Sequence, residues 1–343
     1  MTKTMKYEFF NRRNKKGNKT KAALLAERGE GVQIMRSSRI LSVSIVMLFL
    51  VVTGRSQTPR EAIEHYNRAE GRYAKGDIDG AIAEYTKAIE ISSRLVNDNR
   101  KTRFNEMASG FDEIRIIDPF TAYAYANRGL MRYYKRDYDG AIDDSTRAIS
   151  INPRSGESYN NRGISHFAKK EYEKALSDFE RAITINPRDV EAHNNRGNVY
   201  SEMKDYRKAV TDFDKAIELN PKIAVIYHNR GFARREINED EGAMSDFEKV
   251  IEIDPRMAQG YYGRAVAFCD RNKLDRGIAD FNRAIELKPD YALAFANRGL
   301  AFLRQGKEEE AARDFVTTTK LDPSLIDEVE HKIKLIREGQ RRN

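Results

Sequence analysis

The sequence predicts an all-α solenoid of seven helix–turn–helix repeats, wound as a right-handed superhelix and closed by a C-terminal helix. Three observations carry that prediction. Pro153, Pro187, Pro221, Pro255, Pro289 and Pro323 follow one another at an unbroken interval of 34 residues, a regularity that composition alone does not produce and that marks stacked repeats. Each interval holds two apolar stripes of helical period separated by a short polar break. Small residues recur at fixed places in both stripes, where two helices must approach closely.

The unit Gly156–Pro187 shows how one repeat works, counting Gly156 as position 1. Tyr159, Gly163, His166 and Phe167 fall at positions 4, 8, 11 and 12, the spacing of a first helix. Glu171, Tyr172 and Glu173 break it. Ala175, Leu176, Phe179, Ala182 and Ile183, at positions 20, 21, 24, 27 and 28, form a second stripe. Pro187 has no amide hydrogen and restrains Asn186, so the second helix ends there. One such hairpin is too small to bury its own stripe, and stability comes from stacking neighbours.

This pattern resembles the tetratricopeptide repeat family, and in particular the arrays exported by bacteria. The family's marks are an aromatic at position 4, small residues at 8, 20 and 27, an aromatic at 24 and Pro at 32. Here position 8 is Ala69, Gly129, Gly163, Gly197, Gly231, Ala265 and Gly299. Position 24 is Tyr85, Ser145, Phe179, Phe213, Phe247, Phe281 and Phe315, with Ser145 the departure. The match covers seven units and most of residues 62–323. It is specific for fold and says little about function.

Taken in order, residues 1–34 are basic, lack an apolar period and read as a disordered extension. The segment 35–56 places Arg36 and Arg39 before an apolar run from Ile40 to Val52, short for a membrane span of about 20 residues but suited to a signal peptide. The expectation is a start at Met35, cleavage after Gly54 or Ser56, and export to the periplasm or outside the cell. Residues 1–34 then read as an upstream over-extension. The alternative is a protein anchored in the membrane by residues 40–52. Repeat 1 spans 62–93. Residues 94–115 read as an inserted irregular segment, with 116–121 returning to the array, because Pro119 falls 34 residues before Pro153. Phe104, Met107, Phe111 and Ile114 keep a further helix open as the alternative. Repeats 2 to 7 span 122–155, 156–189, 190–223, 224–257, 258–291 and 292–323. Residues 324–343 place Leu325, Ile326, Val329, Ile333 and Ile336 on one face, which suits a capping helix started by Ser324.

The net charge of +8 is unevenly held. Residues 1–34 carry +6 and residues 35–55 carry +3, which leaves about −1 on the repeats. The array therefore gives no electrostatic reason to expect a nucleic-acid partner. A single cysteine, Cys269, rules out an internal disulfide. It reads as a small packing residue.

Two rows depart from ordinary packing. Position 7, usually apolar in the family, is Arg68, Arg128, Arg162, Arg196, Arg230, Arg264 and Arg298, while position 23 is Glu84, Asp144, Asp178, Asp212, Asp246, Asp280 and Asp314. In an antiparallel hairpin these positions lie at similar heights. The expectation is one structural ion pair per repeat, among them Arg128–Asp144, Arg162–Asp178, Arg196–Asp212 and Arg230–Asp246. Position 6 is Asn67, Asn127, Asn161, Asn195, Asn229 and Asn297, interrupted by Gly263. The resemblance implies that first helices line the concave surface. There a column of amides offers donors and acceptors to the backbone of an extended peptide, against the plainer reading of a solvated polar row. Tyr133, Asn160, Asn194, Asn198, His228 and Tyr262 join it as candidate peptide contacts.

The family's carboxylate clamp for chaperone C-termini uses Lys and Arg at positions 2, 5 and 6. Here those positions hold Glu157, Asn160 and Asn161, then Glu191, Asn194 and Asn195, so that role is not implied. His65, His166, His193, His228 and His331 have no recurring ligand spacing, and the sequence has no phosphate loop or nucleophile elbow. No catalytic residue, metal site or cofactor is expected. The expected partner is a protein or extended peptide, with neither nucleic acid nor a small-molecule cofactor, and with membrane attachment only if the signal segment stays uncleaved. The expected function is a non-catalytic scaffold using its concave face. The alternative is an assembly subunit of an envelope complex that uses convex, loop or terminal surfaces.

Overall fold

In the computed structural model, which describes residues 60–106 and 119–341, every regular element is helical. In chain order the helices are α1 (Arg60–Ala74), α2 (Ile78–Glu106), α3 (Pro119–Tyr134), α4 (Tyr138–Ile151), α5 (Gly156–Ala168), α6 (Tyr172–Ile185), α7 (Val190–Glu202) and α8 (Tyr206–Leu219). They continue with α9 (Ala224–Glu236), α10 (Asp240–Ile253), α11 (Ala258–Asp270), α12 (Leu274–Leu287), α13 (Ala292–Arg304), α14 (Glu308–Leu321) and, after a 3-10 turn at Pro323–Leu325, α15 (Ile326–Arg341). They divide into two units, residues 60–199 and 200–341. Within each unit successive helices pack as hairpins and each hairpin packs on the next. The fold is the all-α repeat array that the proline interval predicts. The extension 1–34, the segment 35–56 and residues 107–118 lie outside the described residues.

The hairpin turn is made by one backbone device. Position 15 adopts a positive φ in every repeat: Gly76, Arg136, Lys170, Lys204, Asn238, Asn272 and Gly306. In the third repeat the Lys170 amide donates to the Phe167 carbonyl at 2.9 Å and the Glu171 amide to the His166 carbonyl at 2.9 Å. This pattern closes a helix on a left-handed residue and satisfies its last carbonyls. The next helix is then capped by a side chain where one is present: Asp77 accepts from the Gly80 amide at 2.9 Å and Asp137 from the Gly140 amide at 3.0 Å.

At the other end, Asn186 donates its amide to the Ala182 carbonyl and accepts the Arg188 amide on its Oδ1 at 3.2 Å. Asn152, Asn220 and Asp254 repeat this turn around their prolines. Repeat 1 has Ser93 where the others have proline. Its second helix does not stop there, and α2 runs on through Glu106. The expectation of an irregular segment from residue 94 is corrected for 94–106: with no proline to remove an amide, the intrahelical ladder continues.

Each unit builds its core on position-24 aromatics. Tyr85, Phe179, Phe213, Phe247 and Phe281 are all buried, and the small residues at positions 20 and 27, alanine apart from Val250 and Gly277 in these repeats, are buried with them. In the third repeat the glycine at position 8 makes room for the ring: a Cβ on Gly163 would lie 2.7 Å from Phe179 Cε1. The C-terminal segment closes the second unit, with Leu325 of the 3-10 turn and Val329 and Ile333 of α15 packed with Ala296 and Phe315. The start of that segment is capped by Asp322, which accepts from the Ser324 amide at 3.0 Å. Ser324 is the capped residue and not the cap.

Candidate functional site

The position-7 arginines have a fixed set of neighbours. Arg162 donates from Nε to Asp178 Oδ2 at 2.9 Å and from Nη2 to Asp178 Oδ1 at 2.7 Å, a fork on a carboxylate. Arg128–Asp144, Arg230–Asp246, Arg264–Asp280 and Arg298–Asp314 have the same two-bond geometry, and Arg68 makes one bond to Glu84 at 3.1 Å. The carboxylates are buried, and Asp144 has no exposure. Arg196 lies half-buried on α7 and Asp212 buried on α8. The guanidinium also sits over the position-4 ring, as in Arg162 over Tyr159 at 5.6 Å and Arg298 over Phe295 at 5.4 Å. His65, which replaces that aromatic in repeat 1, places Nδ1 2.7 Å from Glu84 Oε2.

A third contact was not read from the sequence. The remaining nitrogen, Nη1, reaches position 25 of the preceding repeat: Arg128 to Thr86 at 3.0 Å, Arg162 to Thr146 at 3.2 Å, Arg230 to Asp214 at 2.6 Å and Arg298 to Asn282 at 2.6 Å. Each of these four arginines ties its own hairpin to the one before it. The separation is 16 residues for Arg162 and 42 for Arg128, so the 26 extra residues leave the register of α2 on α3 unchanged. The signal was available. Position 25 is a hydrogen-bonding residue in repeats 1 to 6 and becomes Val316, 54% exposed, in the last repeat, which no arginine row follows.

The position-6 amides are used between repeats as well. Asn127 donates to Tyr66 Oη at 2.7 Å and Glu70 Oε1 at 3.1 Å, Asn161 to the Ala126 carbonyl at 3.3 Å, Asn195 to Asn160 Oδ1 at 3.0 Å, and Asn297 to Tyr262 Oη at 3.1 Å. Each acceptor belongs to the preceding repeat. The row therefore joins neighbours before it meets any ligand. Asn160, Asn161, Asn194, His228 and Tyr262 are buried; Asn127, Asn195, Asn198, Asn229, Asn297 and Tyr133 are half-buried; Asn67 is exposed. Gly263 interrupts the row for a steric reason: a Cβ there would lie 2.4 Å from Phe247 Cε1.

On the first helices of repeats 1 to 3 these residues meet an aromatic and acidic cluster. The Tyr85 hydroxyl donates to Glu70, which also takes the Asn127 amide. Burial, and secondarily the Glu157 charge, push the Glu70 carboxyl above its ordinary value. Burial and then nearby Glu157 likewise push up the Tyr123 phenol. Tyr73 stacks on Tyr134 at 6.1 Å, and Tyr133 packs against Tyr134 and Tyr138. Glu171 is drawn down to about 2 by hydrogen bonds from His166 and then Lys174. Burial pushes the Cys269 thiol up to about 12, which removes it as a nucleophile at neutral pH.

The comparisons agree with the repeat fold. Two family profiles described as tetratricopeptide repeat match residues 156–189 and 190–223 and residues 224–257, and a third described as TPR repeat matches 266–306. Two solved structures resemble the chain in fold. A tetratricopeptide repeat protein from Parabacteroides merdae aligns with a TM-score of 0.58 and 23% identity over 80% of this chain and 100% of its own. PilF of Pseudomonas aeruginosa aligns with a TM-score of 0.55 and 17% identity over 62% and 97%. No curated protein matches in sequence.

Proposed function

Because the chain belongs to the tetratricopeptide repeat family, we propose that it is a non-catalytic scaffold that holds a protein or an extended peptide along its first-helix face. The observation that carries this reading is the set of half-buried side chains on first helices, the amides Asn127, Asn195 and Asn198 with the Tyr133 phenol in the first unit and the amides Asn229 and Asn297 in the second. They stand on helical hairpins, and those of Asn127, Asn229 and Asn297 are closed by arginine forks whose third nitrogen reaches the preceding repeat. A surface held this way has little ordering to do on the receptor side when a ligand arrives. Half-burial suits such a role, because an amide already donating on one side keeps acceptor capacity for a peptide amide on the other. Under this reading the partner is protein, the site needs neither nucleic acid nor cofactor, and residues 35–56 direct export, or residues 40–52 anchor the chain.

A second reading follows from α2, which at 29 residues is about twice the length of the 14-residue second helices elsewhere. An assembly subunit could use that extra length as its contact. Crosslinking and pull-down from cell envelopes, with the wild type beside an Asn127/Asn198/Asn229→Ala variant of unchanged helicity, separate the two. Loss of the wild-type partner in the variant supports the first-helix face. Retention of that partner, with loss on replacing residues 94–106 by a Gly/Ser linker, overturns it in favour of the α2 extension.

A further inference from the structure

We propose that the seam between repeats 2 and 3 binds one buried water molecule, held between Ser145 Oγ and Asn161 Oδ1 in the place that an aromatic ring fills elsewhere in the array.

The first argument is a pair of buried oxygens. Ser145, on α4, has no exposure, and its hydroxyl has no hydrogen-bond partner among the described residues. Asn161, on α5, is 1% exposed. Its Nδ2 donates to the Ala126 carbonyl at 3.3 Å, but its Oδ1 has no partner among the described residues. Polar atoms shut away from solvent are satisfied in native interiors by protein or by ordered water. The amide oxygen can only accept, whereas the hydroxyl can take either role. Water donates to the first and exchanges either role with the second. An apolar guest would leave both oxygens unpaired.

The second argument is that the fold brings these two residues to one place. Phe247 shows what position 24 touches. Its Cε1 would stand 3.0 Å from a Cβ on Gly231, position 8 of its own repeat, and 2.4 Å from a Cβ on Gly263, position 6 of the next. Ser145 and Asn161 are the same pair of positions in repeats 2 and 3. Both meet α3 within one turn: Ser145 Oγ would lie 3.2 Å from a Cβ on Gly129, and Asn161 bonds Ala126, three residues earlier. The ring that Ser145 lacks is larger than a water molecule. Asn161 is also turned differently from its row. Asn127, Asn195, Asn229 and Asn297, which follow the aromatics Tyr85, Phe179, Phe213 and Phe281, stay half-buried, while Asn161, which follows the serine, is withdrawn from solvent.

The test is a crystal structure of the full chain at a resolution that shows ordered water. The expected result is one water within about 2.7–3.2 Å of both Ser145 Oγ and Asn161 Oδ1. A direct bond between the two oxygens overturns the proposal, as does a Ser145 hydroxyl turned to the Ala141 carbonyl with no water in the seam. In solution, oxygen-17 relaxation dispersion counts long-lived internal waters. Ser145→Phe/Asn161→Gly, which copies the Phe247 and Gly263 pair, is expected to lose one relative to the wild type. An equal number in the wild type and the folded double variant overturns the proposal. If the double variant does not fold, the crystallographic site decides alone.

Discussion

Arg162 holds Asp178 by two parallel hydrogen bonds, at 2.9 and 2.7 Å, and extends its third nitrogen to Thr146 of the preceding repeat. One side chain therefore closes a hairpin and joins it to its neighbour. Asp178 is 5% exposed, so removing the cation strands a shielded charge. Arg162→Leu is expected to cost about 3 kcal/mol in urea unfolding, since breaking a buried pair from one side costs roughly 3–5 kcal/mol. Arg162→Lys keeps the charge, loses the fork and falls between. A loss under about 1 kcal/mol for the leucine variant would place the pair among solvent-screened contacts.

The repeat unit was legible because its marks are local and recur: the proline interval, the glycines at position 8 and the aromatics at 24 each reflect one helix meeting its hairpin partner. The arginine–carboxylate row was visible for the same reason, since Arg162 and Asp178 share a hairpin. What the sequence hid lies between repeats. Thr146 looks like an ordinary surface residue of α4 until α5 is stacked on it. Asn161 looks like part of a solvated amide column until Ala126 of the preceding repeat takes its donor. The long α2 was hidden by the opposite fault, because its polar residues 94–106 carry no apolar stripe and helix continuation depended on the missing proline after Ile91.

The left-handed turn residue predicts a stabilising change. Lys170 sits at φ 63°, a region that costs a residue with a Cβ about 1–2 kcal/mol. Lys170→Gly removes that cost and gives back roughly 0.5–1 kcal/mol in unfolded-state entropy. The net expectation is a small gain, up to about 1 kcal/mol, by urea unfolding. Gly306→Ala, at φ 77°, should move the other way by about 1 kcal/mol. Destabilisation by Lys170→Gly would mean that the lysine side chain contributes more than the backbone loses.

Glu70 predicts a pH signature. Burial and the Glu157 charge raise its folded value, so the folded state binds a proton more tightly than the unfolded chain does. The ionised carboxylate thus weighs against folding above the raised value, and the penalty disappears as pH falls through that value toward the ordinary carboxylate range. Glu70→Gln should be more stable than wild type at pH 7, with the gap narrowing as the solution is acidified to pH 4.5. A variant less stable than wild type at pH 7 would show that Tyr85 and Asn127 hold the charged form favourably.

The amide row predicts coupling between repeats. Asn195 donates to Asn160 Oδ1 at 3.0 Å, and Asn160 is 2% exposed. Asn195→Ala leaves that buried oxygen without its donor, at a cost of about 1–3 kcal/mol. A double-mutant cycle with Asn160→Ala should return a coupling of about 1 kcal/mol. Additive losses would mean that the two amides act independently and that the row serves the solvent-facing side alone.

Gly263 predicts that restoring the row is harmful. A designer reading the repeats would place asparagine there, as at Asn127, Asn195 and Asn297. The Cβ would then stand 2.4 Å from Phe247 Cε1 and 2.5 Å from Cδ1, on a ring that is 1% exposed and has no room to turn. Overpacking of this kind costs roughly 1–3 kcal/mol, against about 1 kcal/mol gained by removing glycine from a helix interior. Gly263→Asn should therefore lower the urea midpoint. Shrinking the ring, Phe247→Leu, costs stability by itself, but in its presence Gly263→Asn should cost less than it does in the wild type. If the asparagine costs the same in both backgrounds, Phe247 does not keep position 263 small, and the gap in the row needs another cause.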